Sequence, residues 1–252
     1  MNALLAPFKE LGEYEEMAKA LACDGGKVSL SGCVDSQKVH AVFGLDGDRY
    51  DVKIIITYSD IKAREIVQDC RLYCKDTYYY PAKDLIFYQA DIHSNQLTKD
   101  RIEVQRRILE HFYTHEAKSQ LTIVTTFSAL MAHSVPLSVI ENNVLHISRD
   151  SVIDEKALAQ KLVNMGYEKN YQVEAPGQFS IRGGIVDIYD LTLDNPVRIE
   201  LWGDEIESIR SFDVLSQRSI EENMTQVSIY PATEILVTRD ELEDGLRKID
   251  KD

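Results

Sequence analysis

The 252-residue sequence has no apolar run approaching the roughly 20 residues that a membrane-spanning helix needs. Ile54-Ile55-Ile56, its most strongly β-branched apolar run, is far too short. The first residues, Met1-Asn2-Ala3-Leu4-Leu5-Ala6-Pro7-Phe8-Lys9, lack the basic flank and long apolar stretch of a secretory signal. A cytoplasmic protein that does not engage membranes is therefore expected. Cysteine is scarce, and Cys23, Cys33, Cys70 and Cys74 contain no Cys-x2-Cys pair. Neither a disulfide scaffold nor a zinc site is expected, and the thiols should be reduced. Positive charge is also in short supply: 28 Lys and Arg stand against 42 Asp and Glu, a net charge of −14. Such a surface repels phosphate backbones at long range, which excludes non-specific nucleic-acid binding as the main task. The deficit is uneven, because residues 151–252 hold 11 basic and 21 acidic residues and carry −10 of the total.

What remains is an ordinary globular composition, 44% hydrophobic and 28% charged, in a chain long enough to bury a core without staples. The first 130 residues alternate strand and helix patterns. A helix over Tyr14–Leu21 stops at Asp24-Gly25-Gly26. Lys27–Gly32 reads as a short strand. Asp51–Tyr58 reads as a strand buried on both faces, followed by a helix over Ile61–Cys74 that Ser59-Asp60 caps. Further strands are expected at Leu85–Tyr88 and Leu121–Thr126, with a long helix over Asp100–Thr114 and a short one over Ser128–Met131. This alternation argues for a mostly parallel sheet, covered on both sides.

The pattern changes after Val135-Pro136. Asn143–Ser148 reads as a strand, and a helix opens at Ser151 and Glu155 and closes at Gly166. Gln178–Asp213 reads as a three-stranded antiparallel meander, with a β-bulge expected at Gly183-Gly184, where the apolar alternation slips by one residue. Gly203-Asp204 supplies a hairpin turn, Val227–Tyr230 a further strand, and the residues from Arg239 a charged helix.

A parallel sheet raises the question of a phosphate loop where its first strand ends. Leu30-Ser31-Gly32-Cys33-Val34-Asp35-Ser36-Gln37-Lys38-Val39 occupies that place. A working loop needs amides exposed by glycines, a lysine for the phosphates and a neighbouring hydroxyl for magnesium. Only Gly32 keeps its position, Asp35 puts negative charge where phosphate would lie, and Lys38 is followed by Val39. A degenerate, non-functional loop is the expectation. The histidines are scattered: His111 and His115 share a helix face, yet no general base stands between them. No catalytic and no metal constellation is expected.

The most informative segment is Pro176-Gly177-Gln178-Phe179-Ser180-Ile181-Arg182-Gly183-Gly184-Ile185-Val186-Asp187-Ile188-Tyr189. Joined to Pro196–Asp213 and Ser216-Gln217-Arg218-Ser219, it resembles the amino-terminal, UvrB-like module of bacterial transcription-repair coupling factors. It is more loosely similar to the excision-repair protein UvrB. Weaker echoes lie at Gly166-Tyr167, Val124–Leu130 and Asp100-Arg101-Ile102-Glu103-Val104.

The resemblance implies an α/β fold: a degenerate RecA/P-loop-like parallel-sheet domain (1–130), an inserted smaller α+β domain containing the meander (131–213), and an incomplete return to the first domain (214–252). It implies a non-catalytic fragment of a longer protein, with no cofactor of its own. ATP and magnesium would belong to absent motor domains, and RNA polymerase and DNA to parts not present. The inserted domain would recruit UvrA in nucleotide excision repair, and the same face could hold a carboxy-terminal domain of the full-length protein. The alternative, from the enzyme class, is a nucleotide-binding and hydrolysing UvrB-like helicase fragment. Arg182 stands where the family has its docking arginine, flanked by Phe179. Ser180 replaces a second arginine of UvrB, and the family's other basic position falls at Glu168 with Lys169 beside it. An odd-even count along the strand points Phe179 and Ile181 inward and Ser180 and Arg182 outward.

Overall fold

The computed structural model describes residues 3–46, 50–83, 91–113, 120–221, 224–236 and 247–248. After a 3-10 segment at Ala3–Glu10, the elements run α1 (Tyr14–Ala22), α2 (Asp35–Asp46), β1 (Val52–Thr57), α3 (Asp60–Cys70), β2 (Thr77–Tyr80), α4 (Asp91–Tyr113), β3 (Leu121–Thr126) and α5 (Phe127–Met131). They continue with α6 (Leu137–Asn142), β4 (Leu145–Ser148), α7 (Glu155–Asn164), β5 (Glu168–Lys169), β6 (Gln178–Arg182), β7 (Ile185–Tyr189), β8 (Val197–Trp202), β9 (Glu205–Phe212), β10 (Ser219–Glu221) and β11 (Gln226–Ile229). Two compact units result, Met1–Leu85 with Glu110–Ala132, and Ile86–Leu109 with His133–Asp252. No helix among the described residues is long and apolar enough to cross a membrane.

The first unit holds a parallel sheet in the order β1-β3-β2, with Val52 opposite Leu121 and Thr77 opposite Thr122. The β-branched runs of β1 and β3 suit a pleated sheet, and all six residues of the central β3 are buried. β1 is not buried on both faces as expected: Ile54 and Ile56 are exposed, because an outer strand of the sheet lacks the cover that the central strand has. The Ser59 hydroxyl accepts the Lys62 amide at 3.3 Å and starts α3. Ala63 and Val67 of that helix pack on Ile55, Tyr79 and Val124 of the sheet. Val39 and Phe43 of α2 pack against Cys70 and Cys74. All four cysteines are free thiols, Cys23 exposed and Cys70 and Cys74 buried.

One expected strand of this unit fails. Residues 27–32 form no strand: Leu30 is exposed, and the segment pairs with no strand among the described residues. Alternating side chains do not make a strand where no neighbour accepts the backbone hydrogen bonds. The strand expected at 85–88 lies outside the described residues, and the third strand of the sheet is Thr77–Tyr80. Asp76 and Pro81 bracket only these four residues, so the pattern is easily passed over.

The second unit is built on a six-stranded sheet, β10-β9-β8-β7-β6-β5, larger than the three-stranded meander expected. Only β5 joins in parallel. Leu158 and Leu162 of α7 cover one face, over Phe179, Val186, Ile188, Val197, Ile199 and Ile209. Asp154, not Ser151, caps α7, accepting the Lys156 and Ala157 amides at 2.8 and 3.2 Å. Gly166 ends the helix region at φ 88°, and a Cβ there would lie 2.6 Å from the Thr233 methyl carbon.

Gly183 and Gly184 make a turn and not a bulge. Their φ values of 55° and 82° close a two-residue hairpin in which Arg182 faces Ile185. The slip in alternation is the turn itself, and the register irregularity of the meander falls at Glu200/Leu201. The stretch expected to return to the first sheet also behaves differently. β11 pairs antiparallel with β4, and Val227 and Ile229 join the core of the second unit. The parallel sheet takes no described strand from this stretch. Most of the charged helix expected from Arg239 lies outside the described residues.

Candidate functional site

One face of the six-stranded sheet is apolar and covered by α7; the other carries the polar residues of the same strands. Phe179, on the inner face, is fully buried and offers a partner no surface. Ser180 points to the outer face as the alternation predicts, opposite Asp187. It is nevertheless only 1% exposed, because its hydroxyl donates to the Tyr171 carbonyl at 2.8 Å beneath the segment that follows β5. Both side chains therefore support the face without touching a partner, a correction to their expected place in a contact surface.

Arg182, two residues on, has a side chain 35% exposed. Its guanidinium lies over the Tyr171 ring at 5.1 Å and 3.6 Å from Asp187 Oδ2. Asp187 is already engaged: Arg198 Nε reaches Oδ1 at 2.7 Å and Arg198 Nη2 reaches Oδ2 at 2.9 Å, a bidentate pair. The same Arg198 donates to Gln217 Oε1 at 2.9 Å and lies over the Phe212 ring at 4.3 Å. The Asp187 hydrogen bonds hold its guanidinium charged beyond its ordinary range. Two guanidinium groups thus share one carboxylate, and Arg182 is the one held at longer range. Farther along the face, Glu200 pairs with Arg210 and accepts from the Ser208 hydroxyl at 2.8 Å.

Glu168 and Lys169 form β5, the exposed edge strand beside β6. The structure therefore brings Glu168, Lys169, Ser180 and Arg182 to one corner of one sheet. Sequence reasoning misses Tyr171 there, since it lies in no patterned element; Gln217, which accepts from Arg198 farther along the face, stands in the Ser216–Ser219 motif but is not singled out as a site residue. Asp187 and Arg198 leave a signal, because an acid and a base directly opposite on neighbouring strands are the expected cross-strand pair.

Gly32, Asp35 and Lys38 belong to the first unit. Asp35 opens α2, and its carboxylate meets Lys38 Nζ at 3.0 Å and Lys62 Nζ at 2.7 Å. The hydrogen bond from Lys62, and then that from Lys38, lowers the Asp35 carboxyl to about 2. The Val34 amide donates to the Gln37 side chain at 3.1 Å. The groups that would greet a phosphate are engaged by side chains of the same segment and of α3. No cluster of His, Cys, Asp and Glu able to hold a metal ion occurs among the described residues.

Comparison with known proteins adds the context. The family profile of the UvrB interaction domain matches residues 145–235, which contain β5 to β11. A transcription-repair-coupling factor of Bacillus subtilis (strain 168) is 36% identical over 252 residues, covering 99% of this chain and 21% of that protein. One from Staphylococcus epidermidis is 32% identical over 200 residues, covering 77% of this chain and 16% of the relative. One from Staphylococcus aureus (strain USA300) is 28% identical over 242 residues, 95% of this chain and 20% of the relative. The chain spans about a fifth of the length of these relatives. Aligned along nearly its whole length with such proteins, and with the UvrB interaction domain over residues 145–235, the chain belongs to the transcription-repair-coupling factor family.

Proposed function

We propose that this chain is a non-catalytic module that recruits UvrA to stalled transcription complexes in nucleotide excision repair, with the outer face of β6 as the docking surface. The observation that carries the reading is Arg182, a guanidinium on a rigid strand, half exposed, with its carboxylate neighbour already taken by Arg198. Arginine in such a setting is a typical interface anchor. By register Glu168 of the adjoining strand shares the outer face, whereas Lys169 lies on the side of Phe179. The parallel sheet and the degenerate loop of the first unit fit a RecA-like lobe, about 1–130, that has lost nucleotide binding. The docking domain begins near residue 131. On this reading the chain needs no cofactor, and it works in the cytoplasm. ATP, magnesium, RNA polymerase and DNA are the business of other parts of a longer protein, whose carboxy-terminal region could also rest on the same face.

The test is calorimetric titration of UvrA with the chain and with Arg182→Ala. Removing one partner of a desolvated charge pair costs about 2–5 kcal/mol, so affinity should fall at least about tenfold. Thermal melting should be unchanged, because a partly exposed strand side chain contributes about 0.5 kcal/mol or less and Arg198 still pairs Asp187. Unchanged affinity, or a loss explained by unfolding, would remove Arg182 from the site. Magnesium-dependent ATP binding abolished by Lys38→Ala would overturn the non-catalytic assignment and favour the helicase-like alternative.

A further inference from the structure

We infer that Tyr171 is the second anchor of this docking face: its ring sets the direction of the Arg182 guanidinium and is itself covered by the partner. The inference rests on the docking function proposed above. Three observations meet at this residue. First, Tyr171 is 83% exposed, in the bend that follows β5. Second, its backbone is fixed. The Asn170 amide donates to the Phe179 carbonyl at 2.8 Å, and the Ser180 hydroxyl donates to the Tyr171 carbonyl at 2.8 Å. Ser180 is buried, so this second bond is sheltered from water. The chain on either side of the ring is thus stapled to β6 while the ring faces solvent. Third, the ring lies 5.1 Å from the Arg182 guanidinium carbon, on which Asp187 also bears.

A large, rigid aromatic held outside a core loses little conformational freedom when a partner covers it, so its apolar area is available to binding almost undiminished. The same ring, stacked on Arg182, restrains a side chain that would otherwise sample many rotamers in solvent. Covered by a partner, the stack sits at lower dielectric and strengthens. The matching surface on UvrA is an acidic side chain for Arg182, next to an apolar patch for the ring. This explains how the face can work with a serine at position 180: the Ser180 side chain is spent on holding Tyr171.

The experiment is a double-mutant cycle of UvrA affinity on the whole chain, with Tyr171→Ala, Tyr171→Phe, Arg182→Ala and Tyr171→Ala/Arg182→Ala. Tyr171→Ala should weaken binding by about five- to thirtyfold, the range of a desolvated cation–π contact with some lost apolar area. Tyr171→Phe should bind within about twofold of wild type, since it keeps the ring. In the Arg182→Ala background the effect of Tyr171→Ala should shrink, which is the signature of positioning; equal effects in both backgrounds would overturn the positioning role. Melting temperatures should not change, as the ring is outside the core. Wild-type affinity in Tyr171→Ala alongside weakened Arg182→Ala would overturn the inference and leave the docking function standing. Wild-type affinity in Arg182→Ala, or no binding by the unmodified chain, would overturn the docking function itself.

Discussion

The most exacting prediction concerns Arg101, one of the largest fully buried side chains of the protein. It lies on α4, in the Asp100–Val104 stretch, and its Nε meets Glu234 Oε2 at 2.8 Å, with side chains 2% and 8% exposed. Gln105 donates to the other Glu234 oxygen at 2.9 Å, and Arg101 Nη2 reaches the Ser134 hydroxyl at 3.3 Å. Around this pair Ile102 and Leu109 pack with Ile140, Val144 and Tyr230. Replacing Arg101 by Met keeps most of the volume but leaves the Glu234 carboxylate buried without its cation. Breaking a buried pair from one side costs about 3–5 kcal/mol. Against a total stability of about 5–15 kcal/mol, that is a large fraction. The double variant Arg101→Met/Glu234→Leu removes both charges and should recover most of the loss, because an apolar replacement of a buried pair is often near neutral. Urea unfolding followed by circular dichroism, for wild type, both single variants and the double, gives the coupling directly. If Arg101→Met lies within about 1 kcal/mol of wild type, or the double variant falls as far as the sum of the singles, the pair is not the clamp described here.

Two further predictions address the first unit. Asp35 should titrate at about 2, below its ordinary 3.8, because Lys62 and then Lys38 hydrogen-bond its charged form. A lowered carboxyl favours the folded state above pH ~4 and loses that contribution as pH falls towards 2. Carboxyl-carbon NMR titration should show the low midpoint, and Lys62→Met should move it up towards 3.8; an ordinary midpoint in the wild type would refute the network. For the thiols, burial pushes Cys70 up to about 12, whereas Cys23 is exposed. Native protein treated with a thiol reagent at neutral pH should therefore react at Cys23 while Cys70 waits for denaturant, and equal rates at the two would show that Cys70 is not in a core.

The sequence announces which faces are buried better than it announces which strands are neighbours. β1, β3 and the strands from β6 to β9 are readable because β-branched runs and period-two alternation survive in them. β5 and β10 are two and three residues long and leave no period to detect. Val227–Tyr230 reads as a strand, but the partner of the observed Gln226–Ile229 lies about 80 residues upstream, at Leu145–Ser148. Alternation says which side chains are hidden and nothing about where the ladder is. The double glycine is ambiguous for a related reason, since bulges and tight hairpins both use the left-handed region, and only the opposed strands decide. At the proposed docking face, Arg182 is legible from its alternation and its motif. Tyr171 is not, because its significance comes from a carbonyl held by Ser180 and a ring held over Arg182, contacts that cross from an irregular segment to a strand.

The charge balance and the proposed docking face look contradictory until distance is taken into account. A net charge of −14, most of it in the half that carries β6, repels a nucleic acid whose own charges extend over many Debye lengths. At physiological ionic strength the screening length is about 8 Å, so a partner carboxylate brought to the outer face responds to the groups nearest it and little to acids elsewhere. Those nearest groups are two arginines around a single carboxylate. Arg198, 13% exposed and bidentate, neutralises Asp187 and belongs to the fold. Arg182, 35% exposed and 3.6 Å from the same carboxylate, leaves a local surplus of one positive charge. An acidic protein can in this way reject polyanions at a distance and still accept one carboxylate at contact, which is the discrimination the proposed recruiting function needs.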